Sequence, residues 1–271
     1  MDALADFIDL ERYPIDDLDS PAGRTLIESC QGMMREQAIC ALKGFLRPVL
    51  LQAISDEVTH LESTMRRVDF PATPYGWLKN AGFSTSHPRS RVFDRRCGVL
   101  TRDQLDPEGL CVRLFQFPEL TEFVRQLLGY EELFNSACPN ISVRLNIMEP
   151  GDEFGWHYDT NDGAVSLVLQ SAEEGGDFEY APLIRSEEEE NYDRVGAIFS
   201  GEETPDVADA PPGTFILFMG RRSLHRVAPI GRSRRSRQTL LFSYDRQPGM
   251  VFPEKIRKRM LEPSGEPFLG Q

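Results

Sequence analysis

The sequence has no long apolar run, no closely spaced cysteine pair, few histidines and too little positive charge, and each shortage removes a class of protein. Its longest apolar stretches, such as Phe215 to Met219, are far below the roughly 18 residues a membrane-spanning helix needs. The five cysteines (Cys30, Cys40, Cys97, Cys111 and Cys138) form no C-x-x-C pair. That excludes a local zinc or dithiol centre and leaves reduced, buried thiols as the expectation. Basic residues number 30 against 43 acidic ones, a formal net charge of -13. Such a field repels nucleic acid and anionic membranes, so neither is an expected partner. The basic run Arg232 to Arg237 (RSRRSR) is the local exception and reads as a solvated loop. The N-terminal MDALADFIDLE is acidic where a secretory leader is basic, which makes a cytoplasmic location the expectation.

What is present is an ordinary globular composition, 40% hydrophobic and 27% charged over 271 residues, long enough for one large domain with a substantial core. Residues 1 to about 20 read as an extended arm laid on that domain. In 49–65 the residues Leu50, Ile54, Val58 and Leu61 recur at intervals of three and four behind Pro48, which predicts a helix. A second helix is expected over 21–37. A third, over 118–128, opens at Pro118, carries Leu120, Val124 and Leu127 on one stripe and stops at Gly129. The segment 68–110 is rich in Pro, Gly, Ser and Arg and shows no period, so it reads as long functional loops with a short strand at most. From 139 onward come short β-rich runs at 141–148, 164–170, 176–180, 196–199, 213–219 and 237–244. The acidic run 187–190 reads as a loop between them. The expected fold class is α+β with a mainly β, barrel-like core and helices packed outside, in one domain over 1–271: a helical and loop part (1–138), the β core (139–249) and a tail (250–271).

Only four histidines are available, His60, His87, His157 and His225. His157 stands in Gly-Trp-His-Tyr-Asp, shortly after the Pro150-Gly151 turn, with Asp159 two residues on. In extended chain those two side chains point to the same side and can share one cation, given a third ligand. His225, in Ser-Leu-His-Arg-Val after the apolar run and Gly220, is the candidate. Two histidines and one carboxylate leave three positions of a non-haem Fe(II) ion open. Further on, Arg237 and Thr239 open the strand RQTLLFSY on one face, where a guanidinium fork and a hydroxyl suit a carboxylic acid. Arg234 or Arg235 reaches the same place if that strand begins earlier.

The ordered set Asn146, Pro150, Gly151, His157, Asp159, then Gly175, Gly176, Phe178, then Pro212, Gly213, then His225, Val227, Pro229, then Arg237, Thr239 resembles the Fe(II)- and 2-oxoglutarate-dependent oxygenases over about 139–249. The surrounding WHYDTNDGAVSLVLQSAEEGGDFEY and GRRSLHRVAPI look most like the branch of free amino-acid hydroxylases and halogenases. The resemblance implies a double-stranded β-helix, the cupin-like jelly roll. It also implies iron on His157, Asp159 and His225, 2-oxoglutarate on Arg237 with Thr239 and Asn146, and O2 as oxidant. Halogenases of this kind carry a small residue in place of the metal-bound carboxylate, which opens a site for chloride. Asp159 fills that position, so the implied reaction is oxidation of a C–H bond by hydroxylation, desaturation or cyclisation, with release of succinate and CO2.

The expected substrate is a small molecule, a free amino acid. No acid lies beside the triad in Phe154, Thr160 or Asn161, which favours an uncharged or aliphatic side chain. His87, Arg89 and Arg91 in the long loop are candidates for a substrate carboxylate. Trp77 is a candidate wall residue and Trp156 a core residue. The competing readings are the same chemistry on a protein or nucleic-acid substrate, and a non-catalytic cupin-like binding protein.

Overall fold

The computed structural model describes residues 3–160, 164–261 and 267–270. The helices in chain order are α1 (Leu4–Phe7), α2 (Pro21–Gln37), α3 (Pro48–Thr59), α4 (Leu110–Gln116), α5 (Pro118–Leu128), α6 (Tyr192–Ser200) and α7 (Glu254–Leu261). The strands are β1 (Ile39–Leu42), β2 (Arg66–Ala72), β3 (Phe93–Thr101), β4 (Phe134–Asn135), β5 (Val143–Met148), β6 (Glu153–His157), β7 (Ala164–Gln170), β8 (Phe178–Ala181), β9 (Asp206–Val207), β10 (Phe215–Phe218), β11 (Leu224–Val227), β12 (Arg237–Phe242) and β13 (Tyr244–Asp245).

All strands of the main sheet pair antiparallel, in the order β1-β10-β7-β12-β5-β3-β6-β11-β8-β9, with β2 added alongside β3. Strand β3 pairs with β2 and also with two further strands, β5 and β6, in succession along its length. Its C-terminal residues Gly98 to Thr101 pair with β5 and its Arg95 and Arg96 with β6, so one strand carries the sheet around the corner of a jelly roll. This is the expected mainly β core.

Alternation along the strands decides what faces where. Phe215, Leu167, Leu240, Leu145 and Leu100 are partners in register across β10, β7, β12, β5 and β3. All five are wholly buried. They join one cluster with Ile27 and Met34 of α2, Leu50 and Ile54 of α3 and Phe123 and Leu127 of α5, so the helices cover the convex face. Each such side chain contributes about 1.5–3 kcal/mol through burial. The N-terminal arm enters the same cluster through Phe7, Ile8, Tyr13 and Ile15, and α1 forms inside it.

The structure corrects several expectations. Segment 68–110 supplies β2 and β3, which form a wall of the barrel, so the part before 139 is not only helix and loop. Edge position explains how Pro71 is tolerated: β3 is the one named strand paired with β2, whose other edge meets only an isolated bridge at Phe268, and an edge strand accepts a residue without an N–H. Residues 196–199 lie in α6 rather than a strand, between left-handed Asn191 and Gly201. Helix α3 ends at Thr59, followed by a turn of 3-10 helix at Glu62–Thr64. The helix over 118–128 has the expected limits, with Gly129 in the left-handed conformation as its cap. All five cysteines are free and buried. No helix among the described residues is long and apolar enough to cross a membrane.

Candidate metal centre and co-substrate pocket

The open, concave side of the curled sheet holds a cavity of about 410 Å³, within the size range of small-molecule sites. His157 ends β6, His225 lies on β11, and register places them opposite each other with ring centroids 3.9 Å apart. Asp159 follows two residues beyond β6, where its N–H donates to the Gly220 carbonyl at 3.0 Å. The approach is close enough that a Cβ on Gly220 would stand 2.0 Å from Asp159 Oδ2. Glycine at 220 is therefore what lets the carboxylate swing to within 3.7 Å of His225 Nε2. One ligand atom from each of His157, Asp159 and His225 lies within 4.8 Å of the others.

The protonation chemistry of this trio fits a divalent metal. His157 Nδ1 donates to the Gly155 carbonyl at 2.9 Å, and His225 Nδ1 to the Ser223 carbonyl at 3.0 Å. A carbonyl only accepts, so each hydrogen sits on Nδ1 and each Nε2 keeps its lone pair for a ligand. Burial holds both imidazoles below their ordinary range, His157 well below it with added repulsion from His225 and Arg95. Both rings are thereby neutral, the form a metal binds. Phe154 packs on His157 at 4.6 Å, and Phe218 on His225 at 4.9 Å, which fixes the rings from behind.

Of the three candidate arginines, Arg237 faces the cavity. It is buried, its Nε donates to the Gly176 carbonyl at 2.9 Å and its Nη1 to Thr239 Oγ1 at 2.6 Å. Burial pulls its guanidinium down to about 10, opposed by Asp177. Gly176 has φ +76, and a Cβ there would stand 2.6 Å from Ile230 Cδ1 and 3.0 Å from Arg237 Cδ. The Gly175-Gly176 pair is thus the backbone that lets the arginine lie flat. Asn146 is the register partner of Thr239 and lines the same wall. Arg234 points outward, paired with Glu173 at 2.9 Å. Residues 232–236 form the solvated loop expected for RSRRSR, whereas the last member of that run, Arg237, is buried on β12.

Phe154, Thr160 and Trp77 line the cavity, whereas His87, Arg89 and Arg91 do not. His87 is spent on its own loop: Nδ1 accepts from the Arg89 N–H, and the ring packs between Phe83 and Tyr192. Arg89 Nε donates to Asn80 Oδ1 at 2.9 Å. That removes both from contact with a bound molecule. Asn161 lies outside the described residues. Trp156 is buried beneath the Arg226 guanidinium, as a core residue.

The structure adds pocket residues that sequence reasoning missed, chiefly Arg95 and Arg144. Arg144 was marked by the period of two, since it precedes Asn146 by two residues on β5 and shares its face. Arg95 carried no comparable signal; it comes from β3 and lies over the Phe154 ring at 5.0 Å.

Comparison with known proteins gives the following. The sequence matches the family HalD, Halogenase D, over residues 23–250. No curated protein sequence matches significantly. Among solved structures, a 2OG-Fe(II) oxygenase family oxidoreductase from Burkholderia pseudomallei is similar at 16% identity and TM-score 0.52, covering 82% of this chain and 92% of that one. The non-heme alpha ketoglutarate dependent carbocyclase SnoK from nogalamycin biosynthesis is similar at 15% identity and TM-score 0.53, covering 89% and 92%. The epimerase SnoN, solved with Fe3+, alpha ketoglutarate and nogalamycin RO, is similar at 12% identity and TM-score 0.55, covering 82% and 84%. At these identities the likeness is one of fold.

Proposed function

The chain belongs to the Halogenase D family, and from that membership and the convergent trio His157, Asp159 and His225 we propose that it is an Fe(II)- and 2-oxoglutarate-dependent oxygenase that oxidises a C–H bond of a small molecule, a free amino acid, without halogen transfer. Bound at the trio, Fe(II) with 2-oxoglutarate and O2 supplies a two-electron oxidation of the substrate, with release of succinate and CO2. A structurally similar protein carries Fe3+ and alpha ketoglutarate, which supports the same pair of groups here.

The chain's own residues divide the work. His157 and His225 offer their Nε2 lone pairs, held in the right tautomer by the Gly155 and Ser223 carbonyls. Asp159 adds the negative charge and occupies the position a halogenase would leave open for chloride. This is the observation that carries the choice of oxygenation over halogenation. Arg237, oriented by Thr239 and Gly176, receives the distal carboxylate of 2-oxoglutarate, and Asn146 offers a hydrogen bond beside it. The aromatic collar of Phe154, Phe178 and Phe218 excludes water from the reacting region. A cavity of about 410 Å³ is the size of a metabolite site rather than a peptide groove.

The test is aerobic incubation with Fe(II), ascorbate, 2-oxoglutarate and pooled free amino acids, following succinate and substrate mass together. The expected result is succinate formation that depends on one amino acid, with that amino acid gaining an oxygen or losing two hydrogens and gaining no chlorine in chloride buffer. No succinate from iron-loaded protein would favour the binding-protein reading instead.

A further inference from the structure

Arg95, Arg144 and Lys255 are cationic residues of the cavity lining that the oxygenase chemistry does not use, and Arg144 is the one among them with a buried nitrogen that lacks a hydrogen-bond partner. Arg144 projects from β5 on the cavity face, opposite Leu241 of β12. Its Nε is buried without a hydrogen-bond partner, and among the described residues no carboxylate pairs with it. Burial lowers its guanidinium, with Asp159 and Cys97 acting in the opposite sense. The residue as a whole is half-buried, and a guanidinium nitrogen taken out of water without a hydrogen-bond partner is rarely left so in a finished structure. The partner it lacks is one that arrives from outside.

The charge balance of the cavity says what that partner is. A divalent ion, the Asp159 carboxylate, the 2-oxoglutarate dianion and Arg237 cancel one another, which leaves Arg144 without a counter-charge. Arg95 has the same sign, and Asp159 is the only carboxylate among the described lining residues. Asp159 aside, no described residue of this wall offers an acid to a cationic side chain. We propose that the substrate is a small carboxylic acid of net negative charge, such as an acidic amino acid, and that Arg144 seats one of its carboxylates. This deepens the oxygenase reading, on which it rests for the second occupant of the cavity. It replaces the expectation of an uncharged side chain, which considered only residues next to the triad.

Anaerobic titration of the protein loaded with Fe(II) and 2-oxoglutarate, using L-glutamate, L-aspartate, L-leucine and L-lysine as probes, tests it. Wild type is expected to bind an acidic probe about tenfold or more tightly than L-leucine, with L-lysine weakest, the range of a charge-assisted carboxylate contact. Arg144→Gln should abolish that preference while the Kd for 2-oxoglutarate stays within about twofold. The unloaded Arg144→Gln protein should melt no lower than wild type, because the arginine has no partner to lose; a structural arginine would give a lower Tm. Should the glutamine variant not fold, the structural role is the right one unless Arg144→Lys folds and keeps the acid preference in weakened form. Equal binding of L-glutamate and L-leucine by wild type overturns the proposal, and so does loss of 2-oxoglutarate affinity in Arg144→Gln. Failure of the oxygenase reading looks different: wild type then binds no 2-oxoglutarate. In that case a rise in melting temperature with L-glutamate, absent in Arg144→Gln, still upholds Arg144 as an anion site, and its absence refutes it.

Discussion

Two rows of residues run across the same strands one position apart, and they have opposite contents. Phe215, Leu167, Leu240 and Leu145 face the helices. Ile216, Ser166, Leu241 and Arg144 face the cavity, with Thr239 and Asn146 two positions along the strands. The first row is wholly buried hydrocarbon, whereas the second is mostly half-buried and mixes apolar walls with a guanidinium, a hydroxyl and an amide. Since the pleat alternates with a period of two, a slip of one residue would exchange the rows. The apolar row therefore fixes the register, and the polar row inherits its positions from it. Polar groups on the sheltered concave face are there for something that binds.

That division of labour is testable from both sides. The largest effect is expected at the metal trio: Asp159→Ala should lower substrate oxidation by more than about 100-fold, since losing even a group that merely orients a ligand costs 10–100-fold. The melting temperature without metal should stay close to that of wild type. A comparable fall in Tm would show that the carboxylate belongs to the fold as much as to the site. On the opposite face, Leu240→Ala should cost about 2–5 kcal/mol by denaturant unfolding, as for other buried leucines. The folded fraction should keep its activity per molecule. Loss of activity in fully folded protein would mean that the two faces are not separable. Next in size, Arg237→Gln should raise the KM for 2-oxoglutarate about 10- to 100-fold, the range of a hydrogen bond to a charged group. A larger fall in affinity for the substrate than for 2-oxoglutarate would reassign this arginine.

The residues of the candidate site were more legible in the sequence than the scaffold that gathers them, and the reason is physical. Metal ligation needs specific atoms, so His157, Asp159 and His225 stand out by residue type even though they come from two segments. The same holds for Arg237 with Thr239, where spacing alone puts both on one face. Strands β2 and β3 were hidden because they are marked by long-range partners rather than local pattern. Val68, Phe70 and Ala72 do alternate inward, but Pro71 and the flanking arginines obscure it. Helix α6 was misread for a different reason. Gly196 to Phe199 looks like a strand in a four-residue window, while Tyr192, Val195, Ile198 and Phe199 carry the helical spacing over a longer one. His87 and Arg89 were chosen by residue type from a segment whose path the sequence did not show, and the loop uses both internally.

The smallest expected effect probes the seam between the two faces at β12. Thr239 touches no metal ligand; it accepts a hydrogen bond from Arg237 Nη1 at 2.6 Å and so acts as a positioning residue. Thr239→Val keeps the shape and removes the acceptor, which leaves one guanidinium N–H of a buried side chain unsatisfied. The cost of about 1 kcal/mol should appear as a rise of about three- to tenfold in the KM for 2-oxoglutarate, with kcat nearly unchanged at saturation. Thr239→Ser restores the oxygen and should recover most of the affinity, although it loses a methyl group from the wall. Leu240, the next residue along, points to the helices, so Leu240→Val should show the reverse pattern: a lower melting temperature and an unaltered KM. If Thr239→Val changed Tm and left KM alone, the hydroxyl would be part of the core and the polar row would not be the organised surface its register describes.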